Sequence, residues 1–501
     1  MTGHRITDKA RRRPVTGPER RSPATGKDRP GGRRMDAAGH DRHHRYQRHH
    51  TYRNRQSSTP AAGGRHPAAH RASRRKGVRM ERRTAQDRSA DTGLSAGTST
   101  GASSAPVPEG ADVVIVGGGV LGASIAFHLA EAGAGGVLLL ERDRPAAGSS
   151  GKPIGGVRAQ FSDPLNIRIG RRSLEAWRAF GERPGADIGF ESVGYLFLLG
   201  DATERVLFEE GVAAQNALGV PSRIIGPAAA AALCPYLDPD GIVAAAYCPT
   251  DGYALPREAV TGYLRAAARH GAEIRTHCPV TAIETRGGAL EAVRTPRGTV
   301  RTTTVVCCAG AWSAEVGAMA GVRLPVTPVR RQIAFTGPLD APPPRIPFTL
   351  DFGSTAYFHN DGAGGLLLGM SDPRQEPGFG REFSREWLAP FREAVGRRAP
   401  ALAAMPVSHG WAGLYETTPD NNALIGEAAD VPRFLYATGF SGHGFLQAPA
   451  VGELVRDLYL GREPFLDVGP LAATRFDARP TGTGKEGDGR HDGARPEAHI
   501  I

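Results

Sequence analysis

The sequence predicts an α/β fold, and three observations carry that prediction. Residues 112–116 form a short apolar run that passes directly into a glycine-rich turn. A segment with apolar positions at helical spacing (Val120, Ile125, Leu129) follows, with Gly133 as its stop signal. Near the other end, the apolar run FLYATGF enters a second glycine-rich loop, SGHGF, and a second helical pattern extends to about 460. The composition fits a glycine-rich globular chain: 40% apolar and 23% charged residues, with 66 Gly and 39 Pro, which excludes a coiled coil and a membrane bundle.

Between these ends the elements follow in order. VLLLE (137–141) is a second buried strand. A helix is expected near 166–181, a strand at 193–199 and a helix at 201–218. In the stretch 255–274, LPREAVTGYLRAAARHGAEI has a proline at the start of a helix, a glycine after it and then a strand. Residues 279–308 are short β-branched runs broken by glycine, ending in the strand TTVVCCAG. Residues 326–370 are β-rich with proline breaks, and 384–397 fits a helix.

Charge is unevenly distributed. Residues 1–110 carry 25 Lys/Arg, 9 Asp/Glu and half of the 16 histidines, whereas the remaining 391 residues carry 37 and 42. The pI of about 9.7 therefore describes a tail and not the folded body. Residues 1–88 contain no Phe or Trp and almost no Val, Ile or Leu, so they cannot bury enough apolar surface to offset chain entropy and are expected to be disordered. An upstream extension with translation starting at Met80 or Met35, a nucleic-acid-binding arm and a targeting peptide are the readings open for it; no apolar run of the signal type follows the arginines. Residues 89–110 form a Ser/Gly/Thr linker, and 477–501 is again polar and glycine-rich and is expected to be disordered. Five cysteines without a C-x-x-C pair suggest neither a disulfide framework nor zinc, and fit a reducing, cytoplasmic compartment. Cys307 and Cys308 are neighbours in a strand and so point to opposite faces. No apolar run is long enough to span a bilayer.

Two motifs carry chemistry. Gly117-Gly118-Gly119-Val120-Leu121-Gly122 is a G-x-G-x-x-G after a strand and at the start of a helix. Gly117 permits the tight turn, Gly119 lets a pyrophosphate approach the backbone, Gly122 lets helix and strand pack, and the helix N-terminus favours phosphate charge. Glu141 ends the next strand 19 residues after Gly122, where a carboxylate can accept hydrogen bonds from a ribose diol. This fingerprint alone does not separate FAD from NAD. The second motif, Ala437-Thr438-Gly439-Phe440-Ser441-Gly442-His443-Gly444-Phe445-Leu446, places another helix N-terminus where a ligand's anionic edge would be favoured.

With these motifs, GSSGKPIGGVRAQFSD (148–163), VVCCAGAWSAEVGAMAG (305–321), LPVTPVRRQ (324–332), GLYETTPDNNALIG (413–426) and ATGFSGHGFLQAPAVGELV (437–455), the chain resembles the FAD-dependent oxidoreductases of the D-amino-acid oxidase family. The likeness is to the branch of sarcosine oxidase β-subunits, glycine oxidases and amino-acid dehydrogenases, over about 112–465. The resemblance implies a Rossmann-like FAD-binding domain from 111–190, 250–322 and 410–465, and an antiparallel-sheet α+β substrate domain from 191–249 and 323–409. It places FAD on Gly117, Gly119, Val120, Leu121, Gly122, Glu141, Arg142, Ser149, Val280, Gly310 and Trp312, and on the loop of Gly442, His443, Gly444, Phe445 and Leu446. It makes Arg158 the anchor for a substrate carboxylate, since guanidinium is a permanently charged planar fork. Arg330 and Arg331 are alternatives to it. Tyr357 and His359 are pocket candidates, with Tyr357 and His443 joining Arg158 as catalytic candidates. No metal is implied.

The departures from the family pattern shape the rest. The cysteine that carries covalent FAD in some members is replaced by Gly413, and the position aligned with the attachment histidine of others is Pro153, so non-covalent FAD is expected. Leu446 stands where monomeric sarcosine oxidases have a lysine. Leu367, in the strand GLLLG, stands where they have the lysine that favours reaction with oxygen, so a dehydrogenase is expected rather than an oxidase. The implied activity is oxidation of the C–N bond of a small amino acid or N-methyl amino acid by hydride transfer to flavin N5; the alternative is a non-catalytic FAD-binding assembly subunit. Expected partners are the amino-acid substrate, an electron acceptor and a possible partner subunit, with no nucleic acid bound by the folded body.

Overall fold

The computed structural model describes residues 105–477 and Glu497; the expectations for 1–104 lie outside the described residues. All described residues belong to the compact unit Met80–Ile501. Two sheets organise them. In the first, six strands lie in the order Leu424–Glu427, Phe434–Thr438, Val305–Cys307, Val113–Val116, Val137–Leu140, Glu273–Arg275. All neighbours are parallel except the edge strand Leu424–Glu427. The four central strands are apolar on both faces because both are covered, as parallel sheets require, whereas the edge strand Glu273–Arg275 is only partly buried. The period-2 alternation divides each strand between two cores. Val113, Ile115, Val137 and Leu139 meet the helices Val120–Glu131, Pro164–Arg178, Pro256–Arg269 and Gly444–Leu460. Val114, Val116, Leu138 and Leu140 meet a three-stranded antiparallel sheet (Ala282–Arg286, Ala289–Thr295, Gly298–Arg301) through Ile283, Leu290, Val293 and Val300. Cys307 and Cys308 fall into opposite cores, as their adjacency predicts. All five cysteines are free and buried.

The second sheet has eight strands in the order His409–Thr417, Thr327–Phe335, Leu366–Met370, Ala356–Asn360, Phe348–Asp351, Tyr195–Leu199, Ala244–Cys248, Arg223–Ile225. It is antiparallel apart from one parallel pair, Phe348–Asp351 with Tyr195–Leu199. The strand His409–Thr417 runs across the expected 409/410 boundary and belongs whole to this sheet.

The helix ends follow local chemistry. Asp163 caps Pro164–Arg178, accepting from the amides of Leu165 and Asn166, and proline opens both this helix and Pro256–Arg269. The expected helix at 201–218 forms as Ala202–Ala217, capped by Asp201. The expected helix at 384–397 is a 3₁₀ turn, Arg385–Trp387, running into an α-helix, Leu388–Gly396.

Of the C-terminal stretch 477–501, Asp477 and Glu497 are described. Glu497 is buried; its carboxylate accepts from the Ser162 amide and hydroxyl (2.9 and 2.8 Å), the Asp163 amide (3.2 Å) and Asn166 Nδ2 (3.1 Å). A single carboxylate can dock this way in a sequence with no apolar core of its own, because the donors ahead of the helix at Pro164 are already arrayed for an anion. The rest of 478–501 lies outside the described residues.

Candidate active site

The first cleft, of about 250 Å³, opens at the carboxyl ends of Val113–Val116 and Val137–Leu140, where a doubly wound sheet binds ligands. Gly117, Gly119, Val120, Leu121, Glu141, Arg142, Ser149, Val280, Gly310 and Trp312 all line it. Gly122 does not, because its part is packing: a Cβ there would sit 2.0 Å from the Gly117 carbonyl oxygen. The Glu141 carboxylate accepts from the amides of Gly118 and Asp143, both at 2.7 Å, which holds it at the cleft wall. The Arg142 guanidinium stacks 3.7 Å over the Trp312 ring, forming a partly exposed lid edge. Ser150, which the motif reading missed, accepts from the Val120 amide at 2.9 Å and so satisfies the start of the first helix. A glycine turn, a helix start and a strand-end carboxylate along one cleft form a donor and acceptor set that fits FAD.

A second cleft, of about 110 Å³, continues from the first and lies between the two sheets. Val120, Leu121, Ser149, Ser150 and Glu416 line both. Gly442, Gly444 and Phe445 close one side; Arg331, Ile333, Tyr357 and Tyr415 come from the eight-stranded sheet. Tyr357 is buried, and its ring crosses Gly369 on the neighbouring strand so closely that a Cβ at 369 would lie 2.0 Å from two ring carbons. Arg331 projects its guanidinium 5.2 Å above the Tyr415 ring, and one Nη donates to the Arg330 carbonyl. Its buried Nε has no partner among the described residues, and burial lowers its pKa. Lys152 also lines this cleft; its Nζ donates to the Ala412 carbonyl at 2.6 Å, and burial together with Arg381 and Arg257 lowers its pKa.

Arg158 lies behind this cleft, in a small third cavity with Tyr195, Tyr415, His443, Phe445 and Leu446. It is 1% exposed, donates to the Gln160 carbonyl, and places Nη2 3.0 Å from His443 Nε2. Burial first, and then the Arg158 charge, drive the His443 pKa well below its ordinary value, so the imidazole is neutral and accepts from Arg158. Structure thus gathers Arg331, Tyr357 and Tyr415 at the second cleft, and Arg158 and His443 just beyond it. His359 lines none of the three cavities: Nδ1 lies 2.7 Å from the Asn360 carbonyl and Nε2 3.0 Å from that of Ile154.

Leu367 shares the face of Tyr357 and Ile333 but is buried among Phe335, Phe348 and their neighbours, and it lines none of the cavities. The lysine that lines the second cleft comes from position 152. Among the described residues no helix is long and apolar enough to cross a membrane, and no cluster of three metal-ligating side chains occurs.

Comparisons with known proteins agree with this geometry. The chain is 30% identical over 419 residues to FAD-dependent oxidoreductase domain-containing protein 1 of Bos taurus, covering 74% of this chain and 85% of that protein. It is 28% identical over 403 residues to the 4-methylaminobutanoate oxidase (formaldehyde-forming) of Paenarthrobacter nicotinovorans, covering 78% of this chain. The chain spans about half the length of that relative, 48%. Among solved structures, L-proline dehydrogenase from P. horikoshii superposes with a TM-score of 0.70 at 34% identity, covering 74% of this chain and 99% of that one. The model of the FAD-dependent oxidoreductase (DAO) family matches residues 112–458, from the strand that opens the cofactor cleft into the helix that closes it, and the chain belongs to that family.

Proposed function

We propose that this chain oxidises the C–N bond of a small amino acid or N-methyl amino acid, with FAD held non-covalently along the first two clefts. The observation that carries this reading is the buried, unpartnered Nε of Arg331 in the second cleft, beside Tyr357 and Tyr415. A buried donor without a partner costs about 1–3 kcal/mol, which a bound carboxylate would recover. Proline and 4-methylaminobutanoate, which two of the similar proteins act on by name, both join an amine to a carboxylate.

FAD, when bound, accepts the two electrons of the oxidation. The chain's own residues do the rest. The turn at Gly117–Gly119 and the first helix hold the pyrophosphate, Glu141 the ribose and Val280 the adenine. Arg331 binds the substrate carboxylate with its planar fork, and Tyr357 walls the opposite side. Arg331 and Lys152 together make the cleft positive, which disfavours the substrate's ammonium form and leaves the amine lone pair available without a dedicated base. In this reading Arg158 is a positioning residue, fixing His443 and with it the loop 442–446. Five free, buried cysteines support a reducing compartment such as the cytoplasm.

The test separates the two arginines. Arg331→Lys keeps the charge and loses the fork, so KM for carboxylate substrates should rise about tenfold or more, the scale of a charged hydrogen bond, while descarboxy amines are unaffected. An unchanged KM in Arg331→Lys, with the rise appearing in Arg158→Lys, would return the carboxylate to Arg158.

A further inference from the structure

Glu416 is the single titratable residue that lines both the first and the second cleft. It sits near the end of the strand His409–Thr417, and the Ser441 amide donates to its backbone carbonyl at 3.0 Å, which ties it to the loop before the last helix. Its carboxyl is poorly provided for as an anion. Oε2 has the Thr438 hydroxyl at 3.0 Å, Oε1 has the Phe440 amide at a long 3.4 Å, and the Gly439 amide also donates to the carboxyl, so every donor to it is neutral. The Thr438 hydroxyl has one proton, and two further acceptors lie within its reach, Ser313 Oγ at 2.7 Å and the Gly310 carbonyl at 3.4 Å. No Lys, Arg or His pairs with Glu416 among the described residues. The titratable groups near it from the six-stranded sheet are the thiols of Cys307 and Cys308, both pushed up by burial and therefore neutral. Farther along the cavities it shares lie Glu141, Asp143, Glu315 and the cation Arg142 on one side and the cations Lys152 and Arg331 on the other.

We propose that Glu416 is a cofactor-binding residue that carries its proton in the loaded protein and hydrogen-bonds the sugar-alcohol chain of FAD between the flavin ring and the phosphates. This rests on the cofactor reading above. With adenine at the Glu141–Val280 end and the ring between the sheets, the junction that Glu416 lines is where the linking chain must pass. A hydroxyl-rich chain suits a neutral carboxyl, which both donates and accepts. An ionised carboxylate there would repel the adjacent pyrophosphate with no cation paired to it among the described residues. Burial already pushes Glu416 up to about 7, so its proton lies within reach of neutral pH. The sign follows: FAD binding favours the protonated form and raises the pKa further, so affinity is full below the titration and is lost as pH rises through it.

The experiment is titration of the full chain, freed of flavin, with FAD at pH 6 and pH 8.5, followed by quenching of flavin fluorescence. In the wild type Kd should rise about tenfold across this interval. In Glu416→Gln, whose amide donates but does not titrate, Kd should change by no more than about twofold. Should that variant fail to fold, calorimetry of the wild type at pH 7.5 in two buffers of different ionisation enthalpy reads the proton directly, and net proton uptake on FAD binding is the expected result. Tight binding that is independent of pH, a wild type and variant with the same pH dependence, or binding with no proton uptake would overturn the inference alone. Absence of FAD binding at both pH values would overturn the cofactor reading and this inference with it.

Discussion

Arg158 Nη2 lies 3.0 Å from His443 Nε2, with both side chains buried, so the imidazole is held neutral as the acceptor of a permanently charged donor. The folded pKa of His443 lies well below its ordinary 6.5, so its contribution to stability is present above about pH 6.5 and is lost as pH falls and the unfolded imidazole takes up a proton. His443→Gln keeps an acceptor and should flatten that acid-side loss, measured as the denaturation midpoint between pH 7 and 5. His443→Phe removes the acceptor and should cost about 1–3 kcal/mol at pH 7. Identical acid profiles in wild type and His443→Gln would show that this pair does not control the titration.

Gly369 and Tyr357 should behave as one unit. A Cβ at 369 would lie 2.0 Å from the tyrosine ring, so Gly369→Ala must displace it. The expected loss is about 1–3 kcal/mol of stability, the scale of overpacking, with a fall in kcat/KM. In a double-mutant cycle with Tyr357→Ala the stability losses should be strongly non-additive, because the clash disappears with the ring. Additive losses would mean that the two positions do not collide.

The cofactor turn was legible from local spacing, whereas Arg331, Tyr357 and the Gly442–Phe445 loop of the second cleft were reached through the family resemblance, for a physical reason. Gly117, Gly119, Gly122 and Glu141 act locally: turn, helix start and strand end lie within 25 residues, and spacing alone reports them. The second cleft is assembled by long-range pairing, Arg331 opposite Gly413 and Tyr357 opposite Gly369, and no short-range pattern announces which face of those strands meets the cofactor. What favours Arg331 over Arg158 as the proposed anchor is burial and an Nε without a partner among the described residues, neither of which a motif encodes. Leu367 packs into the apolar cluster of the eight-stranded sheet, a burial that its place in GLLLG does not report. The short helix Pro227–Leu233 is nearly all alanine and carries no apolar period. Glu497 shows the converse limit, since one docked carboxylate leaves no trace in a polar, glycine-rich composition.

Lys152, not position 367, should govern the reaction of the reduced flavin with oxygen. A cation beside the flavin would stabilise the anion formed by the first electron transfer to oxygen, and Lys152 is the lysine of the second cleft. Lys152→Met should slow reoxidation of the anaerobically reduced protein by about tenfold or more in stopped flow, whereas Leu367→Lys should leave it nearly unchanged. The reverse pattern would restore Leu367 to the flavin site.

The flavin should be released by acid. Among the described residues no histidine lines the first two clefts, and the one cysteine that does, Cys308, is held as a neutral thiol by burial, far from nucleophilic. Precipitation with trichloroacetic acid should leave about one FAD per chain in the supernatant. Yellow colour retained in the pellet would establish a covalent link instead.

The most direct test of the account is an anaerobic reduction screen of the FAD-loaded full chain with sarcosine, proline, glycine and D-amino acids, followed by flavin absorbance. At least one of these should bleach the flavin, with half-saturation shifted about tenfold upward in Arg331→Lys. A flavin that dithionite reduces but that no member of the panel bleaches would contradict the claim that this chain oxidises a small amino acid.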